Sequence, residues 1–429
     1  MSHRADTKIA SVRGRQIFDS RGRPTVEAEV SLAGGARGRA SVPSGASTGR
    51  HEAHELRDGD PAVHGGRGVS KAVAAVNTEI AQGLVGRDAG EQRIVDATLR
   101  DLDGSEHLSR LGANAVLAVS LAVCRAAARA HAMPLYRYIA SLAQNTAPSL
   151  PMPMVNILSG GTHAAQSMDL QDFLVIPIGA ASFNDALRMV LQIRRSADEV
   201  CARRGLPTLL ADEGGLSPAC RRVTDALDLV VEAIESAGFV PGRDVAIAID
   251  VAASGLHAKG KYELRSEGLR LSSDEMIAAA REWRSRYPLV SIEDLLHEDD
   301  WDGWTRLTSS MPDLQILGDD LFATNVSRIE HGIRTRAANA VLIKPNQNGT
   351  LSGTLDAIAQ ARRGGFATIV SARSGETEDS FIADLAIGTG AGQIKIGSVR
   401  TSERMAKYNQ LVRIEEDASL PFAGWIGRG

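Results

Sequence analysis

Three cysteines, Cys124, Cys201 and Cys220, are all that the 429 residues contain, and no two of them form a CxxC pair. A disulfide framework and a thiolate metal site are therefore excluded as organising features. Positive charge is not in excess: the formal net charge is −4, and the basic surplus that nucleic-acid binders need is missing. Long uninterrupted apolar runs are lacking as well. The N-terminus, MSHRADTKIASVRGRQ, has no apolar stretch of the secretory kind. The most apolar long segment, Ala113 to Ala132, is broken by Asn114, Ser120, Arg125 and Arg129. It reads as a buried alanine-rich helix rather than a membrane span. The expected setting is cytoplasmic, with neither nucleic acid nor membrane as a partner. Lysine is scarce too, with seven against 41 arginines, so each lysine that remains draws attention to its position.

What is present is chain enough for two domains, since single cores stop growing near about 250–300 residues. The first part alternates like an antiparallel sheet: KIASVRGRQIFD, a turn at SRGRP, then TVEAEVSLAGGARGRASVP with a Gly-rich hairpin centre. Helical patterns follow over Gly68 to Val85 and Gly112 to His131. The Pro-rich segment APSLPMPM, Ala147 to Met154, marks the boundary between an α+β domain over residues 1–146 and a second domain over 147–429. Beyond it, short apolar runs alternate with helical ones: FLVIPIG, TLLADEGG, VAIAIDVAAS, LVSIEDLL, QILGDDLF, AVLIKPNQNG, ATIVSARSG and QIKIGS. The polar residues Asp250, Glu293, Asp319, Lys344, Ser371 and Lys395 close successive runs at intervals of 43, 26, 25, 27 and 24. Such a beat predicts an α/β fold with a (β/α)8-type barrel, whose chemistry lies at the C-terminal ends of its strands.

Asp250, Glu293 and Asp319 end three consecutive strands, and convergent carboxylates without a cation repel one another. A divalent metal resolves this, and all-oxygen ligation favours Mg2+ over Zn2+. Each acid taken singly also suits a helix N-cap. Lys344 and Lys395 end apolar runs, where a structural ion pair and a general base are both open; cationic neighbours lower an ammonium pKa towards the second. Arg373 and Ser374 offer a guanidinium fork and a hydroxyl to a phosphate or carboxylate, or else a solvated arginine. Glu213, followed by two glycines, suits an acid partner of Lys344. His163, in the loop LSGGTHAAQ, is a ligand-contacting lid residue or simply a surface histidine. The small-residue loop PSGASTG, Pro43 to Gly49, is able to fold over a ligand or offer a metal an oxygen.

Taken together, FDSRGRPTVEAEV, VPSGASTG, ELRDGD, GANAVLAVSLA, ADEGG, AIDVAAS, SIEDLL, GDDLF, SGETED, GTGAGQIKIGS and AKYNQLVRIEE resemble the enolase family over nearly the whole chain. The resemblance implies an N-terminal α+β domain on a modified barrel and a homodimer or higher oligomer. It also implies two Mg2+ ions and reversible dehydration of 2-phosphoglycerate, a small phosphorylated carboxylate, to phosphoenolpyruvate. Position by position, Asp250, Glu293 and Asp319 match the ligands of the first ion, and Ser47 matches the loop serine at the second. Lys344 matches the base and Glu213 the acid that assists loss of hydroxide. Lys395 matches the holder of the substrate carboxylate, and Arg373 and Ser374 the phosphate-binding pair. Ala46, His163, Gln171 and Asp172 fall among the substrate-contacting positions.

The sequence also departs from the family. Where enolases read Ser-His-Arg-Ser-Gly-Glu-Thr, the histidine position is Ala372. The family's Gln-Glu-Phe is Gln171-Asp172-Phe173 here, which draws a carboxylate back by one methylene, about 1.5 Å. Ser159 replaces an asparagine, Thr162 a glutamate and Asn348 an apolar residue. Such changes around a pocket with intact metal and lysine positions imply retained metal-assisted enolate chemistry with an altered pocket wall. That is also the pattern expected of a specialised relative from phosphonate antibiotic pathways, carboxyphosphonoenolpyruvate synthase. A non-catalytic protein on the same scaffold is a third reading, against which the retained lysines and acids count.

Overall fold

The computed structural model describes residues 6–45 and 49–425. Strands β1 (Ile9–Phe18), β2 (Pro24–Leu32) and β3 (Arg37–Ser41) form an antiparallel meander. The β1–β2 turn is fixed by Asp19, whose Oδ1 accepts the backbone N–H groups of Arg21 and Arg23, each at 2.9 Å. Helix α1 (Gln92–Asp103) and the longer α2 (Ala113–Ala130) follow. By length and composition α2 is apolar enough to cross a membrane, but most of it is buried inside the protein. Its alanines let it lie close on the sheet: a Cβ on Gly38 of β3 would come within 2.0 Å of the Ala122 carbonyl oxygen. Glycine is therefore required there.

The second domain is a closed barrel of eight strands. In chain order these are β4 (Met152–Ser159), β5 (Asp172–Ile176), β6 (Ala246–Asp250), β7 (Leu289–Glu293), β8 (Gln315–Gly318), β9 (Ala340–Ile343), β10 (Ala367–Ser371) and β11 (Gly392–Lys395). Strand β5 runs antiparallel to both β4 and β6, while the other neighbouring pairs are parallel. The reversal puts the first residue of β5, Asp172, on the rim where the other strands end.

One of the expected strand runs is not a strand. TLLADEGG forms an extended loop tied down by isolated bridges from Leu216 to Leu158 and Leu210. The strand that replaces it in the count is MPMVNILS, whose first three residues belong to the Pro-rich segment read as the domain boundary. Pro153 sits inside β4 as the register partner of Ile394, because the fixed φ of proline is compatible with extended backbone. The strand residues Met152, Met154, Leu174, Ile176, Ala248, Leu317, Ala340, Leu342 and Ile369 pack into one apolar cluster, with Phe422 and Trp425 against it. Polar side chains gather at the other end of the barrel.

Candidate active site

Asp250, Glu293 and Lys395 are the last residues of β6, β7 and β11, and Asp319 and Lys344 follow β8 and β9 by one position. Asp250 is the register partner of Glu293, so their side chains emerge side by side. Lys395 Nζ donates to Asp250 Oδ2 and to Glu293 Oε2, both at 2.7 Å. Burial opposes its charge, but these two acids hold the ammonium well above the usual lysine range. Glu293 is pushed well up, first by burial and then by Asp250, and its Oε1 is buried with no partner.

Lys344 is bonded through Nζ to Asp319. Its backbone is extended, with φ −121° and ψ 109°, and Pro345 opens the short helix behind it, as the residue before a proline prefers. With no cation beside it, burial pulls the ammonium down, but Asp319 outweighs it and raises the value. Asp319 Oδ1 also accepts from Gln347 Nε2 at 2.9 Å, and Gln171 Nε2 donates to Asp250 Oδ2 at 3.1 Å.

A second polar group lies beside the first. Asp172 is fully buried, and its Oδ1 accepts from Asn156 Nδ2 and Ser159 Oγ, both at 2.7 Å. Asn156 Nδ2 also reaches Glu213 Oε2 at 3.2 Å. Gly214 takes φ +82°, and a Cβ on Gly215 would come within 2.4 Å of Ser159 Oγ, so the glycine pair lets the Glu213 loop close onto β4. His163 Nδ1 faces Asp172 Oδ2 at 3.8 Å and Glu213 Oε1 at 3.7 Å. Burial pushes the imidazole pKa down, and burial together with Glu213 pushes the Asp172 carboxyl well up.

Lys344, Lys395, Glu213, His163, Gln171, Asp250, Asp319, Ala372, Arg373 and Ser374 all line one cavity of about 50 Å³. Asp172 lies behind its wall. The guanidinium of Arg373 is bonded through Nη1 to Glu52 Oε2 at 2.8 Å, and Ser374 Oγ accepts from Arg21 Nη1 at 3.2 Å. Sequence reasoning missed Glu52, Asn156 and Gln347. A lone asparagine inside the apolar strand MPMVNILS was a usable signal, because a buried amide needs partners. Nothing in the local sequence distinguishes Glu52 from the other acids around it. Ala46 and Ser47 lie outside the described residues.

A model of the enolase N-terminal domain matches residues 9–139, and a model of the enolase C-terminal TIM barrel domain matches residues 147–425. The chain belongs to the enolase family. Within that family, the five departures separate by position. Ala372 lines the cavity, while Ser159 and Asp172 bond to each other behind it. Thr162 lines a neighbouring exposed cleft. Asn348 turns away: its Oδ1 accepts from Arg100 Nη2 of α1 at 2.8 Å, tying the two domains together. The expected clustering around the pocket therefore holds for Ala372, Asp172 and Ser159 and not for Asn348.

Proposed function

We propose that this enolase-family lyase dehydrates a substrate of the 2-phosphoglycerate type, with Lys344 removing the proton α to the carboxylate and Glu213 donating a proton to the departing hydroxide. The observation that carries this reading is the convergence of Lys344, Lys395 and Glu213 on one small cavity. Buried lysines are costly unless paired or used, and here two face the same space.

Asp250, Glu293 and Asp319 fit a hard divalent cation, Mg2+, because the donor set is all oxygen and Glu293 Oε1 is buried without a partner. When bound there, the cation supplies Lewis-acid stabilisation of the charge that develops on the substrate carboxylate and takes up the charge of Asp319. Lys344 Nζ, as the free amine, accepts the α-proton. The electron pair left on carbon forms the new double bond, and the β-hydroxyl leaves as water with the proton from Glu213. Lys395 holds the substrate carboxylate from the side of Asp250 and Glu293. Arg373 and Ser374 bind the phosphate, which competes with Glu52 for the guanidinium.

The test is continuous ultraviolet detection of phosphoenolpyruvate formed from 2-phosphoglycerate with Mg2+, beside Lys344→Ala. Loss of a general base lowers turnover by roughly 10²–10⁴-fold. Turnover that survives the substitution unchanged sinks the assignment of Lys344.

Ala372 supports a second reading. A methyl group on the cavity wall where the family has an imidazole leaves room for a larger phosphorus group, as in formation of a phosphonoformyl ester of enolpyruvate by a carboxyphosphonoenolpyruvate synthase. A folded, Mg2+-binding protein that ignores 2-phosphoglycerate and turns over with a phosphonoformyl donor favours it.

A further inference from the structure

The backbone N–H of Lys344 donates to a side chain, Thr324 Oγ1, at 2.9 Å, and the same hydroxyl donates to Gln347 Oε1 at 2.7 Å. Gln347 Nε2 in turn donates to Asp319 Oδ1 at 2.9 Å and to Glu52 Oε1 at 3.4 Å. Carboxylates only accept, so the amide faces them through its nitrogen, and the Thr324 proton goes to the Gln347 oxygen. Thr324 and Gln347 are both buried. An unbroken chain of bonds thus runs from the backbone of the lysine to the carboxylate that its own ammonium meets through Oδ2.

The turn that supplies the hydroxyl is strained. Ala323 and Thr324 both take left-handed backbone, φ 46° and 49°, which a β-branched residue rarely adopts. Such strain persists where the surroundings enforce it. Here the Asp319 carbonyl oxygen accepts the Ala323 N–H at 2.8 Å, and Asn348 Nδ2 donates to the Thr324 carbonyl oxygen at 3.3 Å. Entry into the next helix, Val326–Thr335, does not use the hydroxyl. That helix is capped by Asn325, whose Oδ1 accepts the Ser327 and Arg328 N–H groups at 2.9 and 3.2 Å. What the strained turn accomplishes is to return Thr324 to the end of β9. Gln347 is fixed from the other side as well, because its carbonyl oxygen accepts the N–H of Ala53 in the N-terminal domain at 2.8 Å.

We infer that Thr324 and Gln347 are positioning residues, one hydrogen-bonded unit that sets the Lys344 strand end and the Asp319 carboxylate relative to each other and ties both to Glu52, the partner of Arg373. The inference rests on the function proposed above, in which Lys344 is the base, Asp319 a cation ligand and Arg373 a phosphate holder. With Oδ1 fastened to Gln347, Asp319 presents its other oxygen to Lys344, and support of this kind is how proteins orient a ligating carboxylate. Removing the Thr324 hydroxyl leaves the buried Lys344 N–H without its partner and frees the Gln347 amide to turn, so the damage reaches Asp319 through Gln347.

The experiment measures Mg2+ binding to the whole chain by titration calorimetry, beside kcat and KM for 2-phosphoglycerate. Thr324→Val and Gln347→Met nearly keep side-chain size and remove the bonds. Each should weaken Mg2+ binding by roughly 10–100-fold and lower kcat by a similar factor. Thr324→Ser, which keeps the hydroxyl, should recover most of both. Two substitutions on different segments guard against one that fails to fold, and circular dichroism identifies such a failure. A purely structural role would lower Tm but leave the Mg2+ affinity of the folded variants unchanged, and that result overturns the inference. Failure of the serine variant to recover what the valine variant loses also overturns it. A parent chain that binds Mg2+ without turning over 2-phosphoglycerate sinks the proposed reaction alone, and the binding measurements still decide the role of Thr324 and Gln347. A parent chain that binds no Mg2+ overturns both.

Discussion

Asp172 and Asp250 are direct register partners across the antiparallel β5–β6 pair, which brings two aspartates from strands of opposite direction to the same rim of the barrel. They meet different fates there. Asp250 accepts from Lys395 and Gln171 and belongs to the set proposed to hold the cation, whereas Asp172 is held by Asn156 and Ser159, and burial and Glu213 push its pKa well up. Similar carboxyls with different surroundings are how one rim separates charge-holding from acid–base work.

The ammonium of Lys395 is the counter-charge of Asp250 and Glu293 when no cation is bound. Lys395→Ala therefore leaves buried carboxylates unpaired, at a cost of roughly 3–5 kcal/mol. In chelator the variant should melt well below the parent chain. Added Mg2+ should raise its Tm by more than it raises the parent's, because the cation now replaces a missing charge. Equal Mg2+ shifts in the two proteins would mean that these acids are not where the ion binds.

Glu52 and Arg373 join the N-terminal domain to the barrel through a buried ion pair of 2.8 Å, and against the pull of burial Glu52 raises the arginine pKa further. Glu52→Gln keeps the shape and removes the charge, so stability should fall by roughly 3 kcal/mol. Inorganic phosphate should recover part of that loss by supplying the negative charge that Arg373 loses with Glu52. Melting curves with and without phosphate check this, and a variant indifferent to phosphate argues against Arg373 as an anion holder.

The barrel and its rim were legible because each strand ends in a polar residue at a regular interval, and a (β/α)8 beat leaves few other arrangements. TLLADEGG misled because a short apolar run bounded by glycines looks the same whether it forms a strand or a tethered loop. MPMVNILS misled in the other direction, through Pro153 and the prolines just before it. The pairing of Glu52 with Arg373 spans 321 positions, and long-range partners of that kind leave no periodic trace. Asp319, the anion that raises the Lys344 pKa when no cation is present, lies 25 positions before it on the preceding strand end, a partner that local sequence does not mark.

Away from the rim, Asp384 offers a pH test. It is buried, and burial raises its pKa to about 6, opposed by Arg125 and by a hydrogen bond from Gln410. The folded form thus binds the proton more tightly than the unfolded chain, whose carboxyl ionises near ~4. This contribution to stability is complete below that value, declines as pH rises between the two pKa values and is lost above about 6. Asp384→Asn should stabilise the protein by roughly 2–3 kcal/mol at pH 8 and make little difference at pH 4. A difference in Tm between variant and parent that stays constant with pH removes the assignment.

Ala372 carries the sharpest prediction about specificity, because its methyl group sits on the wall of a cavity of only about 50 Å³. Its N–H donates to the Lys395 carbonyl oxygen at 2.9 Å, so a larger side chain is displayed from a fixed backbone rather than swung aside. Ala372→His should place an imidazole against the substrate and restore a positioned proton-transfer group, raising dehydration of 2-phosphoglycerate by about tenfold or more. By filling the same space it should depress any reaction with a phosphonoformyl donor. Opposite movements of the two rates, measured on one preparation, would show that this position selects the substrate. Movement of both in the same direction would mean that the imidazole perturbs the Lys395 strand end, and the choice between the two reactions would then rest on Asp172 and Ser159.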